Sequence, residues 1–360
     1  MKCTIQTITP VHIGNGKDYG PSEYYLSKST KGKPILVKTD LNQVFTSLPE
    51  DKKDEFIQHL TDHTFRLEDY LKNVLGKKPP QIKKYLAPLL CKNPNIINEH
   101  IKTVEKPYIP GSSIKGAIRT AMLHNIIAYK DIKEIRKLIQ RNRVNFWKSQ
   151  KFYDQFFSNP RKNDPKYNIL KFLQVTDTGT VPYPSIYSIV TFKAGERRNE
   201  LYSRGGKTVY VYAETIGTGK KLEFEINSDY SPKLHRDLYL QDKEQYLHIK
   251  KVKEFLFKFS RDYINHEIGF AQKYSIDLLE KFYSQLESKN DPESPLMRIG
   301  YGSGFLSTTT GLRLKEEDPE TYEMVRKTFR RAYPFEFPKT RKLTAERKTP
   351  LGWVKVSTSE

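Results

Sequence analysis

Cysteine is scarce in this chain of 360 residues, which contains only Cys3 and Cys91. Two cysteines are too few for a disulfide framework or for a zinc site built from cysteine ligands. We therefore expect a cytoplasmic protein with reduced thiols, because disulfides persist mainly in oxidising compartments. Long apolar runs are also lacking, since no stretch approaches the roughly 18 residues of a membrane span. The segment 1–5 has no signal-peptide core, so we expect no membrane partner.

Acidic residues are outnumbered, with 42 Asp and Glu against 62 Lys and Arg, and the net charge is +20. A field of that sign attracts polyanions. With a membrane surface set aside, nucleic acid is the leading partner class; a general lysine bias of the source proteome is the alternative. Aromatic residues make up 12% of the chain, which excludes a disordered protein because disordered chains are poor in aromatics.

The hydrophobic pattern predicts an α+β fold. β-Branched alternation indicates strands at 3–8, 24–26, 35–37, 172–176, 186–192, 208–213, 221–226 and 353–356. Helical spacing is typical of 54–60, 67–75, 82–90, 114–126, 241–286 (interrupted near Gly269) and 319–331. The turn at 217–220 predicts a hairpin between the strands on either side of it.

A Gly-Ser-Ser turn at 111–113 leads into the helix at 114–126. Ser112 or Ser113 is the expected N-cap. A helix start presents free N–H groups at the positive end of the helix dipole, which suits a phosphate. Lys115 and Arg119 lie four residues apart and therefore share one face of the helix. An ordinary capped helix with two solvated cations is the alternative.

Two glycine-rich loops are the other candidates for contact with a nucleic-acid backbone. Glycine allows close approach of another main chain, and exposed aromatics can stack on bases. The first loop, at 9–16, contributes His12, Gly14 and Gly16. The second, at 298–307, contributes Arg298, Gly300, Tyr301, Gly302, Ser303 and Gly304.

Basic side chains elsewhere add further candidates for phosphate contacts. They are Arg341 and Lys342 near the C-terminus, and Arg197, Arg198 and Arg204 in a loop between predicted strands. That loop could pass across RNA as a thumb; solvated arginines are the alternative.

Catalytic and metal chemistry is less well supported by the sequence. His12 could act as a general acid–base in RNA cleavage, whereas Asp177 is expected to cap a turn. His59 and His63 have a spacing that zinc sites use, but no third ligand is apparent. We therefore expect a protein that is not an enzyme and has no catalytic residue, no metal and no cofactor.

Taken in order along the chain, these motifs resemble the RAMP superfamily of CRISPR proteins, and most closely the cap-subunit family (the fifth Csm protein) of the type III-A Csm complex. The matching segments are TPVHIGNG at 9–16, IPGSSIKGAIRT at 109–120, VTD at 175–177, GYGSGF at 300–305 and PLGWVKV at 350–356. The stretches 41–106 and 128–171 match no family motif and are expected to be helical insertions.

The resemblance implies two ferredoxin-like (RRM-type) halves, which we place at 1–226 and 227–360. It implies a non-catalytic subunit that binds crRNA and caps the 3′-end side of the complex, supporting assembly and crRNA 3′-end maturation in antiviral defence. Implied partners are the backbone RAMP subunit and the small helical subunit, with target RNA and host nucleases as further ones. The alternatives are a metal-independent endoribonuclease that uses His12 to cut CRISPR repeat RNA, and another RAMP subunit of a type III complex.

Overall fold

The structure is a computed structural model, and it describes residues 1–62, 64–75, 82–141, 153–158, 167–195, 199–228, 231–328 and 336–358. Strands and helices alternate irregularly along these ranges, so the predicted α+β class is confirmed.

The described strands and helices have the following bounds. The strands are β1 (Lys2–Thr7), β2 (Gly14–Tyr19), β3 (Tyr24–Lys28), β4 (Pro34–Thr39), β5 (Lys83–Pro88), β6 (Ile97–His100), β7 (Lys102–Thr103), β8 (Lys106–Pro107), β9 (Leu173–Val175), β10 (Ser185–Lys193), β11 (Glu200–Leu201), β12 (Ser203–Arg204), β13 (Lys207–Thr208), β14 (Tyr210–Thr215), β15 (Lys221–Ser228), β16 (Leu296–Arg298), β17 (Thr340–Thr344) and β18 (Trp353–Thr358). The α-helices are α1 (Leu41–Ser47), α2 (Glu50–Leu60), α3 (Leu67–Leu75), α4 (Gly111–Ile126), α5 (Tyr129–Gln140), α6 (Pro232–Asp237), α7 (Ile249–Lys273), α8 (Asp277–Glu287), α9 (Phe305–Thr308), α10 (Gly311–Glu317) and α11 (Pro319–Lys327). Two 3-10 segments lie at Ile169–Phe172 and Gln241–Leu247.

The first sheet has the strand order β16-β18-β1-β15-β9. Strand β1 lies at its centre, where Ile5 pairs with Leu222 on one side and with Val356 on the other. Alternate residues of β1 are buried because one face of the sheet packs against helices α4 and α7. The apolar spacing of α4 predicted this buried helix face, and Ile114, Ile118 and Met122 form it.

The second sheet has the strand order β11-β10-β14-β6-β2, with β17 pairing β10 as well. The predicted hairpin at Gly217–Lys220 is wrong, because β14 belongs to this sheet and β15 to the first. The turn instead crosses between the sheets. Thr7 of β1 holds it, since the Gly219 N–H donates to the Thr7 carbonyl at 2.7 Å and the Thr7 hydroxyl donates to the Gly217 carbonyl at 2.7 Å.

Both sheets take strands from each side of residue 226. Strand β18 pairs with β1 in the first sheet, and β17 pairs with β10 in the second.

A smaller unit, built from the sheet β3-β4-β5 and helices α1 to α3, has an apolar cluster of its own. The stretch 82–90, predicted as helix, forms strand β5 here because its partner is the distant strand β4.

Helix α7 is continuous past Gly269, where the sequence predicted an interruption. The break comes later, at Ser275, whose φ of 51° is left-handed.

Candidate nucleic-acid interface

The two glycine-rich loops are in direct contact. The Tyr301 N–H donates to the His12 carbonyl at 2.8 Å, so the second loop lies against the first. Gly300 makes this approach possible, since it has a φ of +77° and a Cβ at this position would lie 2.4 Å from the His12 carbonyl oxygen. No residue with a side chain fits there without moving main chain.

The His12 ring lies beneath this contact and is buried. Its Nδ1 lies 2.7 Å from the Glu214 carbonyl oxygen, which fixes the proton on Nδ1. Burial lowers the pKa of His12 below its usual value, so the ring is neutral at pH 7. Tyr301 and His100 meet the ring edge-on, with centroids 5.8 Å and 5.9 Å away. His12 therefore acts as a packing element between the loops.

His100 connects the first glycine loop to the segment that enters α4. Its Nδ1 accepts the Ile13 N–H at 3.1 Å, and its Nε2 donates to the Tyr108 carbonyl at 3.0 Å. Burial lowers the pKa of His100 to about 3, so the ring stays neutral and keeps this pair of bonds. Because Tyr108 comes four residues before Ser112, the helix start lies close to the glycine loops.

Glu214, which is fully buried, holds both histidines: its main-chain carbonyl contacts the His12 ring, and its carboxylate contacts the main chain of His100. The carboxylate accepts hydrogen bonds from the hydroxyls of Tyr19 and Tyr85, from the His100 N–H at 3.0 Å and from the Lys102 ammonium at 2.8 Å. A buried polar group with all its partners in place stiffens its surroundings. The sequence does not predict this network, because a glutamate at the end of a strand gives no sign of which distant residues contact it.

The start of α4 differs from the prediction. Pro110 is the N-cap residue, and neither Ser112 nor Ser113 caps the helix. The Asp177 carboxylate accepts the Gly111 N–H at 2.7 Å instead, so Asp177, which was expected to cap a turn, holds the start of this distant helix. Gly111 packs so tightly on β9 that a Cβ would lie 2.2 Å from the Val175 carbonyl oxygen. Ser112 is exposed and Ser113 half-buried.

Lys115 and Arg119 both lie on α4, and their surroundings differ. The Arg119 guanidinium forms an ion pair with Asp154 at 3.1 Å. Lys115 forms no ion pair with a described residue, and partial burial lowers its pKa. Lys115 is therefore the more available cation of the two.

Arg298 and Arg341, both expected to contact phosphates, are buried instead. The Arg298 guanidinium donates to the Tyr263 hydroxyl at 2.6 Å and to the Gly302 carbonyl at 3.0 Å, and so holds the second glycine loop from inside. Arg341 donates to both carboxylate oxygens of Glu267, at 2.6 and 2.8 Å. With their donors used by the protein, neither guanidinium is presented to a ligand.

The outer side of the second loop carries accessible groups. Tyr301 is 37% exposed, and the Lys342 ammonium lies 5.7 Å from its ring centroid. That ammonium also donates to the Thr191 hydroxyl at 2.6 Å. Gly304 is exposed and Gly302 half-buried, whereas Ser303 is buried with its hydroxyl on the Gly300 carbonyl at 2.7 Å.

We call the accessible residues of these elements the glycine surface. They are Gly14, Asn15, Gly16, Ser112, Lys115, Tyr301, Gly302, Gly304 and Lys342.

A hairpin formed by β12 and β13 lies next to the glycine surface. The residue before the hairpin, Tyr202, is anchored to β10, because its N–H donates to the Thr191 carbonyl at 2.7 Å. Arg204 is exposed on this hairpin, and Arg197 and Arg198 lie outside the described residues. Tyr202 and Tyr210, which sequence reasoning missed, are about half exposed on either side of it. Their strand pattern alone gave no means of separating them from core tyrosines.

One group in the described ranges has the composition of a metal site, namely His124, Asp262 and Glu316. His124 Nε2 lies 3.1 Å from the Asp262 carboxylate and 3.7 Å from that of Glu316. Its Nδ1 is buried and has no hydrogen-bond partner among the described residues. If a metal were bound to Nε2, the ring proton would have to lie on Nδ1, where no described residue accepts it. The geometry therefore favours a ring that donates from Nε2 to Asp262.

Among the described helices, none combines the length and the apolar character needed to cross a lipid bilayer.

Comparisons with known proteins agree with this architecture. The chain is 23% identical to the CRISPR system Cms protein Csm5 of Methanocaldococcus jannaschii over 389 residues, covering 100% of this chain and 89% of that protein. It is 26% identical to Csm5 of Streptococcus thermophilus over 253 residues, covering 63% of this chain and 64% of that protein.

Two solved structures have a similar fold. One is a chain in the cryo-EM structure of a Csm–crRNA–target RNA ternary complex of a type III-A system, with a TM-score of 0.74, 23% identity, and coverage of 99% of this chain and 100% of that one. The other is crystalline Csm5 of T. onnurineus, with a TM-score of 0.65, 23% identity, and coverage of 98% and 99%. Residues 4–307 match the model of the RAMP superfamily. The chain therefore belongs to the RAMP superfamily, with homology to Csm5 along its full length.

Proposed function

We propose that this chain is a non-catalytic, crRNA-binding subunit that caps the 3′-end side of a type III-A Csm complex and supports assembly and crRNA 3′-end maturation. Its similarity to Csm5 proteins supports the place in the complex. The observation that carries RNA binding is the meeting of two glycine loops and a helix start around His12 and His100.

The glycine surface has the chemistry that a single strand of RNA needs. Gly14 and Gly16 are exposed and offer main chain that a sugar-phosphate backbone can approach closely. Lys115 and Lys342 supply cations, and Tyr301 supplies an aromatic face on which a base can stack. Arg204 extends the charge onto the neighbouring hairpin. Arg197 and Arg198, which lie outside the described residues, are proposed as further RNA contacts.

Catalysis by His12 is poorly supported by this arrangement. The ring is neutral, its Nδ1 proton is committed to the Glu214 carbonyl, and the ring is buried under Tyr301. A general acid–base needs reach to the reacting oxygen. We therefore propose a packing role for His12.

The remaining parts of the proposal concern partners and architecture. We propose contacts with the backbone RAMP subunit, the small helical subunit, target RNA and host nucleases. The two sheets are proposed as two ferredoxin-like halves. Because each sheet takes strands from both sides of residue 226, we expect neither 1–226 nor 227–360 to fold alone.

The test is the salt dependence of RNA binding by the purified chain. On single strands, log K falls with log salt by about 0.7 for each phosphate contact. The double substitution Lys115→Ala with Lys342→Ala should weaken binding and reduce that slope by about 1.4, the sum for two contacts.

A matched control removes the same charge elsewhere. Lys281→Ala on α8 with Lys289→Ala just after this helix takes away two exposed lysines outside the glycine surface. It should leave the slope nearly unchanged. Equal slopes for both double variants would exclude the glycine surface as the RNA site.

The rival function is cleavage of CRISPR repeat RNA by His12. Incubation of repeat RNA with the purified chain in EDTA should leave it intact. Cutting that disappears in His12→Ala would overturn the non-catalytic assignment.

A further inference from the structure

The short hairpin of β7 and β8 has an unusual turn. Its two central residues, Val104 and Glu105, have φ values of 46° and 60°. A two-residue turn of this shape strongly favours Asn-Gly, because both residues must be left-handed. A β-branched residue such as Val104 is particularly disfavoured there. Strain of this kind is retained chiefly where it serves a function.

The Val104 side chain is also in an unexpected place for an apolar group. It is 88% exposed, the largest value among the exposed large hydrophobic residues of the described chain. Packing within the protein therefore does not explain why valine occupies the strained position.

The base of this hairpin is rigid and joined to the glycine surface. The Lys102 ammonium is buried between the carboxylates of Glu99 and Glu214, at 2.8 Å from each. Glu99 in turn accepts a hydrogen bond from the Asn15 side chain at 2.9 Å. Glu105 is held by an ion pair with Lys84 at 2.9 Å. The tip bearing Val104 thus stands at the edge of the glycine surface.

We propose that Val104 is an apolar contact for a nucleobase of the RNA strand bound on the glycine surface; this rests on the function proposed above. Apolar side chains are used as wedges between base steps, and RNA-binding proteins read unstacked bases by packing on their faces. The surroundings favour RNA over a protein groove, because Lys106 is exposed beside the tip and the chain carries a net charge of +20.

The test uses Val104→Asn, which has opposite expected effects on folding and on binding. Asparagine tolerates the left-handed conformation, so the melting temperature should rise. RNA affinity should fall about five- to tenfold, near the lower end of the effect of losing one stacking side chain. With a single-stranded RNA carrying 2-aminopurine, the fluorescence change on binding to the wild type should be reduced in this variant.

Glu105→Asn is the matched control, because it relieves strain in the same turn and keeps Val104. It also removes the partly exposed ion pair with Lys84, but such a pair contributes less than a left-handed glutamate costs. It should therefore still raise the melting temperature and bind RNA as tightly as the wild type, or more tightly. If Val104→Asn had the RNA affinity and the fluorescence change of the wild type, the proposed contact between Val104 and a base would be overturned. It would also be overturned if the variant bound RNA normally and lost only a protein partner. Failure of the wild type to bind RNA would instead refute the proposed function.

Discussion

The buried ion pair between Glu267 and Arg341 gives a prediction whose size follows from the structure. The side chains are 1% and 4% exposed, and two hydrogen bonds join them. The Arg341 guanidinium also lies 3.8 Å from the Phe270 ring centroid. Glu267→Ala would leave this cation buried without its carboxylate.

Removing one partner of a buried pair costs about 3–5 kcal/mol, because the remaining charge is uncompensated. The carbonyls of Pro338 and Thr340 still accept from Arg341, so we expect a loss of about 3 kcal/mol, at the lower end of this range. The free energy of unfolding, measured by urea denaturation at pH 7 with circular dichroism, gives the value.

Glu254→Ala is the control on the same helix. Glu254 pairs with Lys251 and Lys258, and all three side chains are at least one third exposed. Exposed pairs contribute about 1 kcal/mol or less. If Glu267→Ala also cost less than about 1 kcal/mol, Arg341 would have to be solvated, and its assignment as a residue of the fold would be wrong.

Two further predictions concern the loop contact and the acid stability. Gly300→Ala should lower the free energy of unfolding by more than the roughly 1–2 kcal/mol of a left-handed alanine, because its Cβ would meet the His12 carbonyl. Gly206→Ala is the control, since Gly206 has a φ of +74° and open space around it and therefore gives the backbone cost alone. Equal losses of unfolding free energy in the two variants would contradict the close contact. Burial tends to raise the pKa of Glu336, but its hydrogen bonds and charge interactions with Lys273 and Lys315 lower it to about 2. Because the pKa of Glu336 is lowered by folding, this group stabilises the fold above the unfolded pKa of about 4.3, and the stabilisation is lost as pH falls toward 2. Glu336→Gln should therefore flatten the decline in unfolding free energy across that pH window. An unchanged dependence of the unfolding free energy on pH would contradict the pairing.

The local sequence pattern was sufficient to predict a strand or helix where the spacing of its apolar residues matches the face that the fold buries. Strand β1 and helix α4 were predicted nearly to their ends, because one face of each is apolar and packs into the same core. Trp353 begins the strand predicted at 353–356 and is 1% exposed. The sequence also marked both glycine-rich loops as candidates, and in the structure the two loops are in direct contact.

Pairing between distant segments could not be read from local pattern. The turn at Gly217–Lys220 has the composition of a hairpin, yet its strands enter different sheets. The start of α4 is held by Asp177, which is 66 residues away in sequence. Arg341 looked like a surface cation because nothing nearby in sequence predicts its partner, Glu267, which lies 74 residues earlier.

The buried support of the site was missed for the same reason. The partners of Glu214 come from four other strands, and a single acidic residue in an apolar strand gives no sign of them. Tyr301, in contrast, was expected to be accessible because its glycine neighbours marked it as a loop residue, and it is 37% exposed.

The most direct test of the account is to crosslink the purified chain to single-stranded RNA containing 4-thiouridine and to identify the modified peptides by mass spectrometry. We predict crosslinks to the peptide with Tyr301 and to the segment 12–17, in the wild type and in the Lys281→Ala, Lys289→Ala control alike. Crosslinks confined to other surfaces, such as helix α5, would contradict an RNA site built from the two glycine loops.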